Sequence, residues 1–339
     1  MSTEILIAVP EIEPGTGIEA EVAQAVPDAR LRVHPCSSAD EVTSELGSAE
    51  ILYSLWFPKN IEGAPLRWLQ MSSTGVDNKL SHPVFDPDGG ITVTSASGCH
   101  AVPIAEYCVF AFGIAARGLL QFFRDQQQRV RNRSHSTLQD LSGKTVSIVG
   151  YGHIGREVGR LARALNMRVL AVKREPESRE ATGFAISGVG DPEGSLPDRL
   201  VGPGELHSVL EEADFVVPTL PLTDATRQLF GRAAFAAMQR HAWFINVSRG
   251  GVVDEDALVA ALRDGVIGGA CLDVLTSDPK PLPSDHPLWS LENVFITPHV
   301  SGNRNPDYLA RNNVLFLDNL RRYASGGELL NVVTRERGY

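Results

Sequence analysis

The sequence predicts an α/β protein with two doubly wound parallel-sheet domains, and three observations support that fold class. Its 339 residues are more than a single domain of ~100–200 residues needs. Short apolar or β-branched runs alternate with helical patterns in both halves, which is typical of βαβ units. A glycine-rich turn at residues 150–155 follows one such run and precedes a helical pattern.

The first half contains strand candidates separated by predicted helices near residues 17–26 and 39–47. These strand candidates are ILIAV (5–9), LRVHP (31–35), ILYSL (51–55), LRWLQM (66–71) and ITVTS (91–95). A long helical pattern then runs from Ala101 to Gln128, where Pro103 is acceptable only in a first turn. We expect the chain to cross between domains in this helix.

The second half repeats the alternation. Its strand candidates are TVSIVG (145–150), RVLAV (168–172), DFVVPTL (214–220), AWFINVS (242–248), GGACLDVL (268–275) and NVFITPHV (293–300). Residues 176–207 are rich in glycine and form a connection that is unusually long for an α/β protein. Residues 304–327 predict an amphipathic helix that a Gly pair stops. We therefore expect residues 1–103 and 303–339 to form a substrate-binding domain, and residues 104–302 a dinucleotide-binding domain.

The composition favours a small molecule as partner. The net charge of −10 repels phosphate backbones and anionic membranes, so we expect neither nucleic acid nor a membrane. Cys36, Cys99, Cys108 and Cys271 lack C-x-x-C and zinc spacing, so no metal site is expected. They read as buried thiols of a reducing compartment, which predicts a cytoplasmic protein. We see no signal peptide and no apolar run of the ~20 residues that a membrane span needs.

The turn GYGHIG matches G-x-G-x-x-G at Gly150, Gly152 and Gly155. A strand before it and an apolar helix stripe after it are the context of a Rossmann dinucleotide-binding unit. The first glycine permits the tight turn, the second the approach of a pyrophosphate, and the third the packing of helix on sheet. His153 and Ile154 begin the helix, whose amides and dipole would face the anion. A glycine-rich turn without a ligand is the alternative.

Two cations occupy the place where such a chain usually carries a ribose-binding acid. Lys173 stands there, about 20 residues after the fingerprint, and Arg174 follows it. The pair would neutralise a 2′-phosphate, so NADP(H) is favoured as cofactor. NAD(H) is possible if Glu175 reaches the ribose. Lys173 extending into solvent is a further interpretation.

Three later segments, 244–258, 271–279 and 296–302, begin as strands and end in loops with charged side chains. Arg249, Asp273, Asp278 and His299 lie in them. Ligands gather at the carboxyl ends of strands in doubly wound sheets, so these residues could converge on one crevice. Taken singly, each has an ordinary explanation, such as a surface ion pair for Arg249 or a turn for Asp273.

An ordered set of motifs extends these observations to nearly the whole chain. They are SSTGVDN (72–78), GYGHIG (150–155), ADFVVPTLPLTDATRQLFG (213–231), NVSRGG (246–251), LDV (272–274) and TPHVSG (297–302). With this set the chain strongly resembles the D-isomer-specific 2-hydroxyacid dehydrogenases. The resemblance implies two Rossmann/flavodoxin-like domains with the active-site cleft between them, and a homodimer. It also implies hydride transfer involving a nicotinamide cofactor.

By this resemblance, Arg249 would orient the substrate carboxylate and polarise the carbonyl group. The amides of Gly75 and Val76 would hold the carboxylate from the other domain. His299 would donate a proton as hydride reaches the carbonyl carbon. Asp278 stands where the family has a glutamate that partners the histidine, and it is one methylene shorter. Either the backbone moves closer or the pairing is weaker, and a misplacement of ~1 Å can cost on the order of 100-fold in rate.

The resemblance also implies cofactor contacts in two more segments. Asp273 would bind the carboxamide of the nicotinamide. Thr226 lies in a loop that family members place along the cofactor, although its Pro-Leu-Thr sequence is also ordinary turn chemistry.

Aromatic and polar residues supply candidates for the wall of the substrate pocket. Trp56 and Phe57 follow a strand and would favour a 2-oxo acid with some apolar side chain over bare glyoxylate. His100 is a further candidate. For Trp289 we expect core packing instead.

These features predict an NADP(H)- or NAD(H)-dependent reductase of 2-oxo acids, acting on glyoxylate, hydroxypyruvate or a larger homologue. The alternative is a dinucleotide-sensing binding protein with little turnover, similar to the corepressors that share this fold. Arg249 and His299 favour the enzyme, whereas Asp278 keeps the alternative open.

Overall fold

A computed structural model describes residues 3–76, 79–131, 138–302 and 306–334. The chain divides into two compact units. Unit 1 comprises Met1–His100 and Arg304–Tyr339, and unit 2 comprises Ala101–Asn303. The functional roles that the sequence assigns to residues 1–103 with 303–339 and to residues 104–302 stay predictions.

The regular elements alternate along the chain. The strands are β1 Glu4–Ala8, β2 Arg30–Val33, β3 Ile51–Ser54, β4 Trp68–Met71, β5 Thr92–Thr94, β6 Thr145–Val149, β7 Arg168–Val172, β8 Arg199–Val201, β9 Phe215–Pro218, β10 Trp243–Asn246, β11 Gly269–Leu272 and β12 Val294–Ile296. The α-helices are α1 Ile18–Ala25, α2 Ala39–Glu45, α3 Ala101–Ala116, α4 Leu119–Gln127, α5 His153–Ala164, α6 Leu206–Leu210, α7 Arg232–Ala237, α8 Glu255–Arg263 and α9 Pro306–Ala324.

Unit 1 is built on a parallel sheet in the order β2-β1-β3-β4-β5. Strands β3 and β4 are buried along their whole length, as expected where both faces of a sheet are covered. The predicted terminal helix is present as α9 and covers one face. Its Phe316 stacks on Tyr53, with ring centroids 4.5 Å apart, and on Trp68 at 5.6 Å.

Unit 2 is built on a parallel sheet in the order β12-β11-β10-β9-β6-β7-β8. One apolar core contains side chains of α6, α7 and α8, and the other contains side chains of α3 and α5. The strand order reverses between β6 and β9, which makes the sheet doubly wound. The predicted fold class, two α/β domains with parallel sheets, is confirmed.

Three expectations about local structure are wrong. The helix predicted over 101–128 is two helices bent by 71° at Gly118, whose φ of 57° is a conformation that glycine adopts readily. The connection predicted over 176–207 includes β8, which pairs with β7 at the edge of the sheet. Trp289 is 55% exposed and donates from its ring nitrogen to the Pro283 carbonyl, so it does not pack in the core.

Cys36, Cys99, Cys108 and Cys271 are buried and free of disulfides, as expected. Burial raises the pKa of the Cys271 thiol to about 12. No single helix in the described ranges is long and apolar enough to cross a membrane; only α3 and α4 taken together, across their bend, meet the criteria of length and composition.

Candidate active site

The charged loops all leave the carboxyl edge of the unit 2 sheet. Because β6, β9, β10, β11 and β12 run parallel, their carboxyl ends lie along one edge. The glycine fingerprint follows β6, and Arg249 follows β10. Asp273 and Asp278 follow β11, and His299 follows β12. The reversal between β6 and β9 is the point at which doubly wound sheets bind ligands.

The glycine fingerprint has surroundings that fit a dinucleotide. Gly150 has a φ of 106°, and a Cβ there would lie 2.8 Å from the Thr219 carbonyl oxygen. A Cβ on Gly155 would overlap the Gly150 carbonyl group, so the helix packs closely on the turn. A Cβ on Gly152 would meet no heavy atom within 4 Å, and α5 begins at the next residue. This open space before a helix N-terminus fits a pyrophosphate.

The first two residues of α5 are involved in packing. Ile154 lies against the apolar core formed with α3. The pKa of His153 is lowered by burial and by the neighbouring Arg156, against the effect of hydrogen bonds to the backbone of Thr182 and Phe184. The side chain of His153 therefore belongs to the contact between α5 and the loop after β7. A role of either residue toward a cofactor would rest on the backbone amides.

Buried polar contacts fasten the loop between β7 and β8 to α5. Arg156 is 3% exposed, and its guanidinium donates to the backbone carbonyls of Asp191 and Arg179. The hydroxyl of Tyr151 donates to the Asp191 carboxylate at 2.8 Å. The same carboxylate accepts from the amide of Leu196 at 3.0 Å. The residue after the last fingerprint glycine thus orders a loop that begins beside the predicted ribose site.

Lys173 and Arg174 have different surroundings. The ammonium group of Lys173 donates to the backbone carbonyl of Ser178, inside the loop. Burial and the nearby Arg156 lower the pKa of Lys173, while Glu175 acts in the opposite direction. The side chain of Arg174 is 62% exposed, and its Nε lies 3.9 Å from a Glu175 carboxylate oxygen. Lys173 is therefore engaged by its own loop, and Arg174 is the more accessible cation.

The side chains of Asp278 and His299 meet across two loops. Asp278 Oδ2 lies 3.4 Å from His299 Nδ1, with side chains 31% and 53% exposed. The same oxygen accepts a hydrogen bond from the Leu275 amide at 3.2 Å. The N···O distance in the pair is longer than the 2.7–3.2 Å of a typical hydrogen bond. The shorter aspartate arm thus reaches the histidine, but with a longer contact than a well-formed hydrogen bond.

Asp273 organises the loop that carries His299. Its carboxylate is buried and accepts from the Thr297 hydroxyl at 2.6 Å, the Val300 amide at 2.8 Å and the Ser301 amide at 2.9 Å. Its backbone carbonyl accepts from the His299 amide at 2.8 Å. These contacts hold His299 at a φ of 55°, a conformation in which histidine is over-represented. The carboxamide contact that the resemblance assigns to Asp273 stays a prediction, and it would add to these bonds.

The loop that carries Arg249 packs against the loop that carries Asp278. Asn246 shapes it, because its side-chain oxygen accepts from the Ser248 amide at 3.1 Å and its amide group donates to the Arg249 carbonyl at 3.3 Å. A Cβ on Gly250 would overlap the backbone of Leu275. Glycine is therefore required for this close approach.

Glu255, which the sequence analysis does not name, holds the start of the loop that carries Asp278. Its carboxylate accepts from the Thr276 amide at 3.1 Å, two residues before Asp278, and lies 3.3 Å from Nε2 of His286. Glu255 also directly follows the helix cap Asp254, where a negative charge is favourable in the first turn of α8. The contact with Thr276 joins residues 21 positions apart, so no local sequence pattern predicts it.

Thr226 stabilises its own turn. Its hydroxyl oxygen accepts from the Thr223 amide and donates to the Pro221 carbonyl, at 2.8 and 2.7 Å. These contacts fit the turn chemistry named as the alternative. Binding of the cofactor by Thr226 stays a prediction.

The predicted substrate residues of unit 1 lie around the end of β4 and after β3. Val76 is buried in the apolar core, and Gly75 precedes it in the loop after β4. Trp56 is partly buried against the same core. Phe57 is 5% exposed, and its ring centroid lies 5.8 Å from that of Phe85. Phe57 is therefore a core residue and does not line an open pocket.

Comparison with known proteins gives the family. Residues 113–301 match the model of "D-isomer specific 2-hydroxyacid dehydrogenase, NAD binding domain". A glyoxylate reductase of Korarchaeum cryptofilum is 33% identical over 254 residues, which are 73% of this chain and 70% of that protein. A D-3-phosphoglycerate dehydrogenase of Methanocaldococcus jannaschii is 30% identical over 87% of this chain, which spans 50% of that relative's length.

A solved structure agrees with these relatives. A D-isomer specific 2-hydroxyacid dehydrogenase of Xanthobacter autotrophicus, in complex with NADPH and MES, has a TM-score of 0.75 and 26% identity, with both chains covered completely. The fold and the site thus define a nicotinamide-dinucleotide oxidoreductase with Rossmann topology. The chain belongs to the D-isomer specific 2-hydroxyacid dehydrogenases.

Proposed function

We propose that the protein is an NADP(H)-dependent reductase of 2-oxo acids that also oxidises D-2-hydroxy acids in the reverse direction. The observation that carries this proposal is the contact of His299 Nδ1 with the Asp278 carboxylate, 3.4 Å apart, on the same sheet edge as the fingerprint and Arg249. A histidine paired with a carboxylate is suited to proton transfer at neutral pH. Family membership supports the reaction class.

The proposed proton transfer uses one particular ring nitrogen. Asp278 contacts Nδ1 of His299, so a proton on Nδ1 would be held there and Nε2 would exchange a proton with the substrate oxygen. The nicotinamide, when bound, supplies or accepts the hydride. Arg249 would bind the substrate carboxylate through its guanidinium fork and stabilise negative charge on the carbonyl oxygen.

A small 2-oxo acid is the proposed substrate, with glyoxylate and hydroxypyruvate as the first candidates. The glyoxylate reductase among the relatives supports this choice. The amides of Gly75 and Val76 would bind the carboxylate, and Trp56 would contact the rest of the molecule. Because Phe57 packs in the core, the sequence-based preference for a larger apolar substrate loses one of its two supports.

NADP(H) is the proposed cofactor, and Arg174 is the residue proposed to recognise the 2′-phosphate. Its exposed guanidinium can make charge-assisted contacts with that group. The NADPH complex of the Xanthobacter relative supports this cofactor. Lys173 is proposed to shape the loop through Ser178. This assignment narrows the original pair of cations to one.

The function is tested with the purified protein, NADPH or NADH, and a panel of glyoxylate, hydroxypyruvate, pyruvate and phenylpyruvate. We expect oxidation of NADPH with at least one of these acids, and a loss of at least ~100-fold in kcat for His299→Ala. His207→Ala, which removes an exposed histidine of α6, is the matched control and should keep wild-type rates. Dinucleotide binding without turnover would instead favour the corepressor-like alternative.

The cofactor preference is tested with two single variants. Arg174→Ser should raise the KM for NADPH about tenfold, equivalent to ~1.4 kcal/mol, and leave the KM for NADH unchanged. Lys173→Met should raise the KM for both cofactors to a similar degree, because it removes the hydrogen bond from Lys173 to Ser178 in the loop and no proposed contact with the 2′-phosphate. A wild-type preference for NADH would reject this assignment.

A further inference from the structure

We propose that His100 is a positioning residue for the loop that binds the substrate carboxylate, acting through Thr74. This inference rests on the proposed function, which assigns the carboxylate to the amides of Gly75 and Val76. Thr74 directly precedes those two residues and follows strand β4. Its hydroxyl oxygen lies 2.8 Å from Nδ1 of His100 and 3.1 Å from the backbone carbonyl oxygen of Ala96.

The chemistry of the hydroxyl group decides the direction of these two hydrogen bonds. Thr74 has a single hydroxyl proton, and the carbonyl of Ala96 can only accept. Both contacts are hydrogen bonds at once only if Thr74 donates to Ala96 and accepts a proton from Nδ1–H of His100. The geometry therefore selects the Nδ1–H form of the ring. His100 acts as a donor toward the loop.

The ring of His100 is itself held in place by helix α9. It packs on Tyr308 with centroids 4.1 Å apart and an angle of 30° between the planes. The hydroxyl of Tyr308 donates to the backbone carbonyl of Ser72, two residues before Thr74. Arg311 donates from Nε to the carbonyl of Cys99 at 3.0 Å, beside His100. Helix α9 thus anchors both the imidazole and the start of the loop.

Loss of the Nδ1–H bond would release one of the two contacts that orient Thr74. The amides of the next two residues would then lose their fixed direction toward a carboxylate. Such a carboxylate contact exists in the ground state and in the transition state alike, so its loss raises KM and leaves kcat nearly unchanged. A residue that merely supports the fold would lower the amount of active protein and leave KM unaltered.

The kinetic test uses matched variants of both partners. His100→Asn keeps an N–H near the position of Nδ1, while His100→Phe keeps the stacking on Tyr308 and removes the donor. Thr74→Ser keeps the hydroxyl, and Thr74→Val removes it with little change in shape. We expect His100→Phe and Thr74→Val each to raise the KM for glyoxylate about tenfold, a change of ~1.4 kcal/mol, with kcat and the KM for NADPH within about twofold. His100→Asn and Thr74→Ser should stay near the wild type.

The double variant Thr74→Val/His100→Phe should be no worse than either single one, because both remove the same interaction. Additive losses, an unchanged KM in His100→Phe, or an equal rise in KM for His100→Asn and His100→Phe would each overturn the proposal.

A second measurement does not depend on turnover. In protein labelled with ¹⁵N at histidine, the His100 signal should show the proton on Nδ1 in the wild type and lose that preference in Thr74→Val. Turnover that is absent with all 2-oxo acids, together with this tautomer result, would reject the proposed function and retain the His100–Thr74 bond. An Nε2–H tautomer in the wild type would reject the inference itself.

Discussion

His299 combines a left-handed backbone conformation with a contact between its ring and a carboxylate in another loop. Its φ of 55° is fixed by bonds to Asp273 on both sides of the residue. One carboxylate oxygen of its partner Asp278 contacts the imidazole and also accepts a hydrogen bond from the amide of Leu275. The orientation of the histidine therefore depends on two aspartates that act differently. Asp273 sets the backbone, and Asp278 contacts the ring.

We expect Asp278→Asn to lower kcat for the 2-oxo acid about tenfold, equivalent to ~1.4 kcal/mol in the activation free energy. The amide keeps the shape of the side chain but replaces the negative charge beside Nδ1 of His299 with a neutral group. The KM for the cofactor should not change. Steady-state kinetics at saturating NADPH measures the effect.

Asp285→Asn is the control for this substitution, because it removes an exposed carboxylate from the same connection before β12. It should turn over at the wild-type rate. A rate for Asp278→Asn equal to that of the control would show that the pair makes no contribution to the reaction.

At the scale of elements, the loop between β7 and β8 is held against α5 by hydrogen bonds. Its backbone and the Asp191 carboxylate receive hydrogen bonds from Arg156 and Tyr151, which lie in or beside the glycine fingerprint. The loop starts at Lys173, which donates to Ser178 within it, and at Arg174, the cation proposed to bind the 2′-phosphate. Its order therefore determines where those cations lie.

Asp191→Asn should loosen this loop. The buried carboxylate accepts from Tyr151 and from the amides of Ser195 and Leu196, and an asparagine cannot accept from all three donors. We expect a loss of about 1.5–3 kcal/mol in the free energy of unfolding and faster cleavage by trypsin after Arg179. Urea unfolding and limited proteolysis measure these changes. Glu193→Gln, an exposed site in the same loop, should change neither.

The approach of the Arg249 loop to the Asp278 loop depends on one glycine. Gly250→Ala would push a methyl group into the backbone of Leu275, so we expect a loss of about 1–3 kcal/mol in stability and a fall in kcat. Gly204→Ala is the control, since its Cβ would meet no heavy atom within 4 Å. Thermal unfolding and turnover of both variants are compared. Wild-type turnover in a folded Gly250→Ala protein would contradict the coupling of the two loops.

At the scale of the whole molecule, the fold was largely predictable because hydrophobic alternation and turn residues are local signals. The strand candidates were found, together with α9. Strand β8 was not predicted, because its three residues show no alternation of polar and apolar side chains and its pairing with β7 depends on tertiary structure. The bend at Gly118 was not predicted, because the sequence around a single glycine in an apolar helical pattern does not show whether that glycine adopts a positive φ.

The sequence predicted which loops lie at the carboxyl edge of the unit 2 sheet, but not the contacts within those loops. Motif order named Arg249, Asp278 and His299. The structure places Asp278 beside His299, while the guanidinium of Arg249 donates to the Ser248 carbonyl in its own loop, and the catalytic roles of the three residues stay predictions. The sequence could not show that Lys173 would turn toward its own loop. The bond from Thr276 to Glu255 joins residues 21 positions apart and arises only when α8 packs beside the Asp278 loop.

Asp214, at the amino edge of the unit 2 sheet, is expected to make the stability of the protein depend on pH in acid. Burial acts to raise the pKa of Asp214, but hydrogen bonds from the Thr145 amide, His241 and Lys144 lower it below its ordinary value. The stability that this carboxylate contributes is therefore complete above the unfolded pKa of ~3.9 and is lost as the pH falls through the lower folded pKa.

Asp214→Asn should reduce the free energy of unfolding by about 1–3 kcal/mol at pH 7 and equally at pH 5. The difference from the wild type should shrink at pH 3, because below the unfolded pKa of ~3.9 the unfolded state binds a proton more readily than the folded state. Urea unfolding at the three pH values measures this, with the exposed Asp264→Asn as control. A difference that grows toward pH 3 would contradict the sign of the shift.

Asp214 anchors the end of the sheet where strands begin, whereas the catalytic candidates occupy the end where they finish. Substitutions in the loops at the carboxyl edge can therefore change ligand contacts without altering the bonds of Asp214 at the amino edge. A chain organised in this way can vary its ligand-facing edge while one set of hydrogen bonds at the opposite edge is kept.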